Sequence, residues 1–387
     1  MDTVVIGGGI VGLSSAYYLA ERGADVTLYE KGSLGTGSTA RAAGGIRSQF
    51  TTPVNVKLSL ASKRVWNTFE EAFGVDIGYR KNGYLFLARS EATAEQFREN
   101  VRTQRDLGAD SEYLRPAEAQ EHCPGLDTGQ FVAATYNGDD GIADPNLAVQ
   151  GYAAGAREAG VDIRTKTAVT GLLREGERVE GVEVDSSDGA AGRHEADHVV
   201  NAAGAWSSRV AAMAGVDLPV SPRRRQVAVV DPSTPVPESV PLTIDLETGS
   251  YFRPERNGVA LVGGHFADED PEVDPERYSE DVDLDWAAEA VERAADHTDY
   301  FGPETRIRRG WAGLYAVTPD HHPVVEQTRP GLVTATGFSG HGFQHAPATG
   351  QIVAELVLDG ESRLVDVSGL DSGRFERGEP MVERNVA

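Results

Sequence analysis

Three glycines, Gly7, Gly9 and Gly12, stand directly after an apolar run, Thr3-Val4-Val5-Ile6, and a carboxylate, Glu30, closes the next one, Val26-Thr27-Leu28-Tyr29. That order suits the binding of a dinucleotide. Gly7 permits a tight turn after the strand, Gly9 lets the backbone approach a pyrophosphate, and Gly12 lets the following helix lie against the strand. The helix start then offers unpaired N–H groups and a positive dipole end to phosphate. Glu30 falls where a ribose hydroxyl is held, which suits the free 2′-hydroxyl of FAD or NAD and repels the 2′-phosphate of NADP. A bare glycine pattern is a weak signal; strand, glycines, helix, strand and acid in this order are far more specific.

Two further stretches carry chemistry. In Gly337-Phe338-Ser339-Gly340-His341-Gly342 an apolar strand runs into a helix start, so backbone N–H groups there can stabilise negative charge on a bound ring system. A glycine-rich loop packed between strand and helix is the plainer alternative. Arg47 lies in Gly44-Gly45-Ile46-Arg47-Ser48-Gln49-Phe50, and its guanidinium fork matches a carboxylate better than an ammonium would. Against this stands a surface arginine paired with one of the 60 acids.

The elements that position these residues follow from periodicity and punctuation. Ile10, Leu13, Ala16, Tyr17, Leu19 and Ala20 recur at helical spacing up to Gly23. Residues 35–45 are too rich in Gly, Ser, Thr and Ala for a core element and read as a loop over a ligand. Thr52-Pro53 predicts a helix start, and Gly83 to Leu87 a strand. A second helix is expected from Asp144-Pro145 to near Gly160, a hairpin over 167–173 and 179–185, and a buried strand from Asp197 to Gly204 whose end faces the cofactor. Between 219 and 310 short strands, prolines and an acidic stretch from Asp268 to Asp285 change the pattern, and the stretch reads as solvated surface. Beyond Gly310, strands at 323–325 and 332–336 and a helix from Ala348 to Leu358 resume the α/β alternation. The fold class is α/β (α+β), a Rossmann-type domain with a parallel central sheet plus a substrate domain with a mostly antiparallel sheet. The expected division is 1–82, 142–218 and 310–387 for the nucleotide domain, and 83–141 and 219–309 for the substrate domain. Residues 360–387 are polar with few apolar anchors, so a loose tail is expected.

With 387 residues, a formal charge of −24 and 60 acids, the chain is a poor partner for nucleic acid. Only Lys31, Lys57, Lys63, Lys81 and Lys166 are lysines, a composition that points to a halophilic source, with an acidic protein of an ordinary cytosol as the alternative. The single Cys123 precludes an internal disulfide, and the first apolar run, broken by its glycines, reads as neither signal peptide nor membrane span. A cytoplasmic location is expected. Adjacent His321-His322 and the pair His341/His345 lack structural-zinc spacing, so no metal is expected.

In three separated motifs, Gly7 to Glu30, Gly44 to Phe50 and Gly337 to Gln344 followed by Pro347 and Gly350, the chain resembles the FAD-dependent amino-acid oxidoreductases of the glycine oxidase, sarcosine oxidase and D-amino-acid oxidase superfamily. The likeness is strongest to sarcosine oxidase, its β subunit and L-proline dehydrogenase subunits, and it selects FAD over NAD. It implies cofactor contacts from Gly7, Gly9, Ile10, Val11, Gly12, Glu30 and Lys31; from Ser38, Thr39, Arg41, Ala43, Gly44, Gly45 and Ile46; from Val169, Ala203, Gly204 and Trp206; and from Gly313, Leu314, Phe338, Ser339, Gly340, His341, Gly342, Phe343 and Gln344. It also implies that Arg47 clamps the substrate carboxylate while Tyr251, His265 and Tyr315 surround the amine. Each has a structural alternative, a histidine at a strand end above all.

Departures from the family pattern carry their own expectations. Gly313 replaces the cysteine that tethers FAD in monomeric sarcosine oxidases, which implies noncovalent FAD. Leu261 replaces a lysine that promotes reaction with oxygen, which implies a dehydrogenase. Gln344 replaces a lysine that helps hold the carboxylate, and Tyr315 the arginine of glycine oxidase. The expected partners are a small amino acid (N-methylated, cyclic or of D configuration) and an electron acceptor that is a quinone, an electron-transfer protein or O2, with a homo-oligomer or hetero-complex possible. A flavoprotein that serves in assembly or electron transfer, or a catalytic subunit of a larger dehydrogenase, stands as the alternative.

Overall fold

The computed structural model describes all residues except 187, 188, 190, 267, 268, 386 and 387. Its organising element is a six-stranded sheet in the order Val324–Arg329, Leu332–Thr336, His198–Asn201, Asp2–Ile6, Asp25–Tyr29, Asp162–Arg164. All neighbours are parallel except the first pair. The central strands are almost wholly buried, as expected where helices cover a parallel sheet. Helices Ile10–Glu21, Pro145–Glu158 and Gly342–Leu358 pack together over this sheet, around Leu13, Tyr152 and Val353. The last helix begins six residues before the expected Ala348, because Pro347 lies inside it. A proline there removes one backbone donor, and packing against the first helix, where Ser14 Oγ donates to the carbonyl of Ala346 at 2.8 Å, outweighs that loss.

A three-stranded antiparallel sheet holds the expected hairpin, Thr167–Glu175 with Arg178–Ser186. The third layer is an eight-stranded sheet: Arg306–Val317, Ser221–Asp231, Ala260–Gly264, Ser250–Pro254, Leu242–Asp245, Tyr84–Ala88, Ala133–Asn137, Glu112–Leu114. It is antiparallel apart from the pair Leu242–Asp245 and Tyr84–Ala88. Arg306–Val317 belongs to this sheet along its whole length, so it crosses the expected boundary at 310.

The polar tail is packed as far as it is described. Val365, Val367 and Leu370 are buried beside Val325 and Ile352, and Arg374 forms a buried ion pair with Asp320 at 2.8 Å. Glu383, itself buried, accepts from the backbone of Thr51 at 2.8 Å and from Asn55 Nδ2 at 3.1 Å. The expectation of a loose tail fails because many of its buried groups are charged and hydrogen-bonded rather than apolar; its last two positions, 386 and 387, lie outside the described residues.

Candidate active site

Four strand ends of the parallel sheet, at Ile6, Tyr29, Ala202 and Thr336, open into one cavity of about 560 Å³ whose opposite wall is the eight-stranded sheet. A crevice at the carboxyl ends of parallel strands is where such sheets bind ligands. Every position expected to touch cofactor or substrate lines this cavity except Gly12, Ile46 and His265.

At one end the first helix starts at Ile10 with Gly9 as its cap and no acid in its first turn, and the neutral hydroxyl of Thr39 accepts from Ile10 N–H at 3.2 Å. Its dipole end is therefore left for a ligand's negative charge. Glu30 is aimed by the backbone: Oε2 accepts from Gly8 N–H at 2.8 Å and Oε1 from Gly32 N–H at 2.7 Å. Lone pairs remain for a ribose. Gly7 has φ of +108°, and a Cβ there would stand 2.6 Å from the carbonyl oxygen of Ala202. Gly12 stays out of the cavity and acts by packing alone, since its Cβ would fall on the carbonyl of Gly7. Ile46 likewise points into the main core. These features fit a bound dinucleotide.

The acidic stretch keeps its described acids exposed, apart from half-buried Asp270, as expected of solvated surface, and runs as a strap across this end; its first position, 268, lies outside the described residues. Glu276 bonds Lys31 Nζ and Trp206 Nε1, both at 2.6 Å, and Lys31 stands 3.8 Å over the Trp206 ring. Asp274 pairs with Arg209 at 2.8 Å, Glu280 with Arg41 at 2.7 Å, and Asp283 with Arg224 at 2.7 Å. Alternation along Ser221–Asp231 sends Arg224 to that side and Arg225 into the cavity wall, where Asp270 holds it through two bonds of 2.7 Å.

The other end is built around Arg47. Its segment is fixed from below by Asp140, whose Oδ1 accepts from Ser48 N–H, Ser48 Oγ and Lys63 Nζ, each at 2.9 Å. Gln344 Oε1 accepts from the Arg47 backbone N–H at 2.7 Å, so the residue in place of the family lysine braces the arginine from behind. The guanidinium donates to the carbonyls of Gln49, at 2.6 Å, and Asn385, and lies 3.9 Å from the centre of the Phe50 ring. Arg47 is only 6% exposed, yet no described acid lies within ion-pair distance of it. A surface arginine paired with an acid is thereby excluded. Burial foremost, and then the charge of Arg47, push His341 well below its usual value and His345 down to about 3. Both imidazoles stay neutral, so neither adds to the charge of Arg47, on which the carboxylates of Glu383 and Asp140 act from beyond ion-pair distance.

Tyr251 and Tyr315 face this end of the cavity, each seated on a glycine: a Cβ on Gly263 would stand 2.2 Å from Tyr251 Cζ, and one on Gly340 2.5 Å from Tyr315 Cε2. Burial pushes both phenols up, so they remain neutral. His265 does not join them. Strand Ala260–Gly264 ends at Gly264, whose φ of +147° turns the chain away, and the imidazole lies 3.9 Å from Asp270, a third of its side chain exposed. Leu261 sits in the apolar cluster behind Tyr251, outside the cavity wall. Position 313 is filled by Arg41, whose Cβ would lie 2.7 Å from a Cβ added there, while Cys123 is buried in the cluster on the far face of the eight-stranded sheet.

Among the cavity residues not expected from the sequence are Arg225 and Tyr84. Arg225 was masked by the run Arg223-Arg224-Arg225, although strand alternation sets Arg224 apart from the other two, which both reach Asp270. Tyr84 opens a strand whose five residues are all buried, so no alternation marks it.

Residues 2–356 match the family model described as FAD dependent oxidoreductase (DAO). FAD-dependent oxidoreductase domain-containing protein 1 of Xenopus laevis is 34% identical over 432 residues, covering 100% of this chain and 84% of that protein. Human mitochondrial dimethylglycine dehydrogenase is 31% identical, with 97% of this chain matched to 44% of the longer protein. The crystal structure of L-proline dehydrogenase from P. horikoshii superposes with a TM-score of 0.87 at 34% identity, covering 98% of each chain. With the glycine turn, Glu30 and the glycine-rich helix start on one cavity, the chain belongs to the DAO family of FAD-dependent oxidoreductases.

Proposed function

We propose that the protein oxidises a small α-amino acid, N-methylated, cyclic or primary, at the carbon bearing its amine, as a dehydrogenase with noncovalently bound FAD. The observation that carries this reading is Arg47, a buried cation without a described acidic partner that opens into the cavity. Leaving such a charge uncompensated is costly, and a substrate carboxylate, bound in bidentate fashion, supplies the missing partner.

FAD, when bound, supplies the hydride acceptor, and water hydrolyses the imine product. The chain's part is placement. Arg47 fixes the carboxylate, and the neutral phenols of Tyr251 and Tyr315 orient the amine through their oxygens. Because burial makes His341 a very weak base and keeps both phenols protonated, none of the three is a ready proton acceptor near neutral pH. The reactive amine is therefore the form that arrives already deprotonated. Backbone donors at the start of the helix Gly342–Leu358, which has no acid in its first turn, suit the charge of a reduced ring.

The dehydrogenase assignment rests on the lack of a further free cation among the described residues at this end beside Arg47, which has no ion-pair partner: Leu261 is apolar, and the charge of Arg225 is taken by Asp270. The noncovalent assignment rests on Gly313 and on the placement of Cys123 away from the cavity. Anaerobic mixing of the FAD-loaded protein with sarcosine, dimethylglycine, proline and D-amino acids tests the reading. Bleaching of the flavin by at least one of them is expected; no bleaching by any would leave a flavoprotein of assembly or electron transfer. Fast peroxide release in air would overturn the dehydrogenase assignment alone.

A further inference from the structure

A third tyrosine shares the wall with Arg47. Tyr84 is 5% exposed, and its hydroxyl lies directly on Gly45, where an added Cβ would come within 1.7 Å of Oη. Its carbonyl accepts from Gln49 Nε2 at 2.9 Å, which ties it to the segment that carries Arg47. The hydroxyl forms no hydrogen bond with a described residue and is not sealed from the cavity. Three glycines thus seat three phenols, Gly45 under Tyr84, Gly263 under Tyr251 and Gly340 under Tyr315.

We propose that the Tyr84 hydroxyl is part of the carboxylate site, donating to a substrate carboxylate oxygen beside Arg47; this rests on the amino-acid function proposed for the cavity. The guanidinium commits one N–H of each terminal nitrogen to the carbonyls of Gln49 and Asn385; the bidentate contact it can still make fills only about two of the roughly four lone-pair sites of a buried carboxylate, which leaves room for a further donor. Arg47 and Tyr84 act on each other electrostatically, and the positive charge beside the hydroxyl repels an ammonium while favouring an anion there. Burial outweighs the opposing influence of Arg47 and keeps the phenol protonated and therefore a donor. Phenols at 251 and 315 are left to the amine.

The test is the binding of acetate and of acetamide to the FAD-loaded protein, read from perturbation of the flavin absorption, so that no turnover is needed. Tyr84→Phe keeps the ring on Gly45 and removes only the hydroxyl. It is expected to weaken acetate about tenfold or more, as for a hydrogen bond to a charged group, to leave acetamide within about twofold, and to raise KM for the amino acid more than it lowers kcat. Unchanged acetate affinity in Tyr84→Phe, with acetate still weakened in Arg47→Leu, would overturn the role of Tyr84 and leave the amino-acid reading standing. If acetate affinity is unaffected by Arg47→Leu as well, the amino-acid reading itself fails. A fall in kcat with unaltered acetate binding would overturn the carboxylate role and place the hydroxyl at the amine or the flavin instead.

Discussion

The two ends of the cavity treat charge in opposite ways. At the nucleotide end each cation has an acid of the strap opposite it: Lys31 has Glu276, Arg41 has Glu280, Arg209 has Asp274. These pairs are partly open to solvent, 42% and 50% exposed for the side chains of Lys31 and Glu276, so each adds little stability. Binding there falls to backbone N–H groups, a helix dipole and Glu30. At the substrate end Arg47 is enclosed with carbonyls, an aromatic ring and neutral imidazoles, with Glu383 and Asp140 acting only from beyond ion-pair distance, so a direct anionic partner must come with the ligand. Where the protein completes its own electrostatics the ligand is held by shape and backbone; where it does not, the ligand's charge is the specificity.

The largest effect should come from removing the unpaired cation. Arg47→Leu is expected to lower kcat/KM by about 10²–10³-fold, the scale of deleting one partner of a charge-assisted bidentate pair in a desolvated site, while FAD content is retained. Steady-state kinetics with parallel flavin spectra decide it, and a loss under tenfold breaks the contrast. Next, Glu30→Gln puts an amide where Gly8 and Gly32 both donate. It should weaken FAD about tenfold in apoprotein titrations and leave KM of the substrate alone.

The ends should also part on acidification. His345 has its folded value near 3, below its usual 6.5, so the unfolded chain binds the extra proton between those values. Its stabilisation is complete above pH 6.5 and is lost as pH falls towards 3, at up to about 1.4 kcal/mol per unit. At the strap, Lys31 holds Glu276 below its ordinary 4.5, so that contribution persists until pH falls below that value. Urea unfolding from pH 7 to 5 should therefore show a slope that flattens in His345→Gln and is untouched by Glu276→Gln. The smallest effect is that of Glu276→Gln on FAD release, about twofold at low salt and vanishing in molar KCl as screening removes the pair. An undiminished effect in salt would mean that the strap acts by shape.

Legibility followed sequence distance. Strand, glycine turn, helix and acid lie within residues 2–30, and their geometry is set by local backbone rules, so the nucleotide end could be read directly. The tail could not, because its anchors are ion pairs and caps, Arg374 on Asp320 and Glu383 on the start of the helix Pro53–Asn67, formed 54 and 332 residues away. His265 was misplaced by one residue of backbone: Gly264 lines the cavity, and its φ turns the next side chain out.

The sequence by itself determined a dinucleotide site with the preference for a free 2′-hydroxyl, an α/β frame with an antiparallel second sheet, and a chain whose acids far outnumber its lysines. These follow from glycine stereochemistry, side-chain periodicity and composition, which are local. Only the tertiary structure decided which charges are compensated. It set acids of the strap opposite cations, Lys31 and Glu276 being 245 residues apart, and it buried Arg47 in the wall that Tyr84 shares, with no described acid within ion-pair distance. The strength and meaning of a charge depend on its neighbours and on its distance from water, and both are fixed only when distant segments meet.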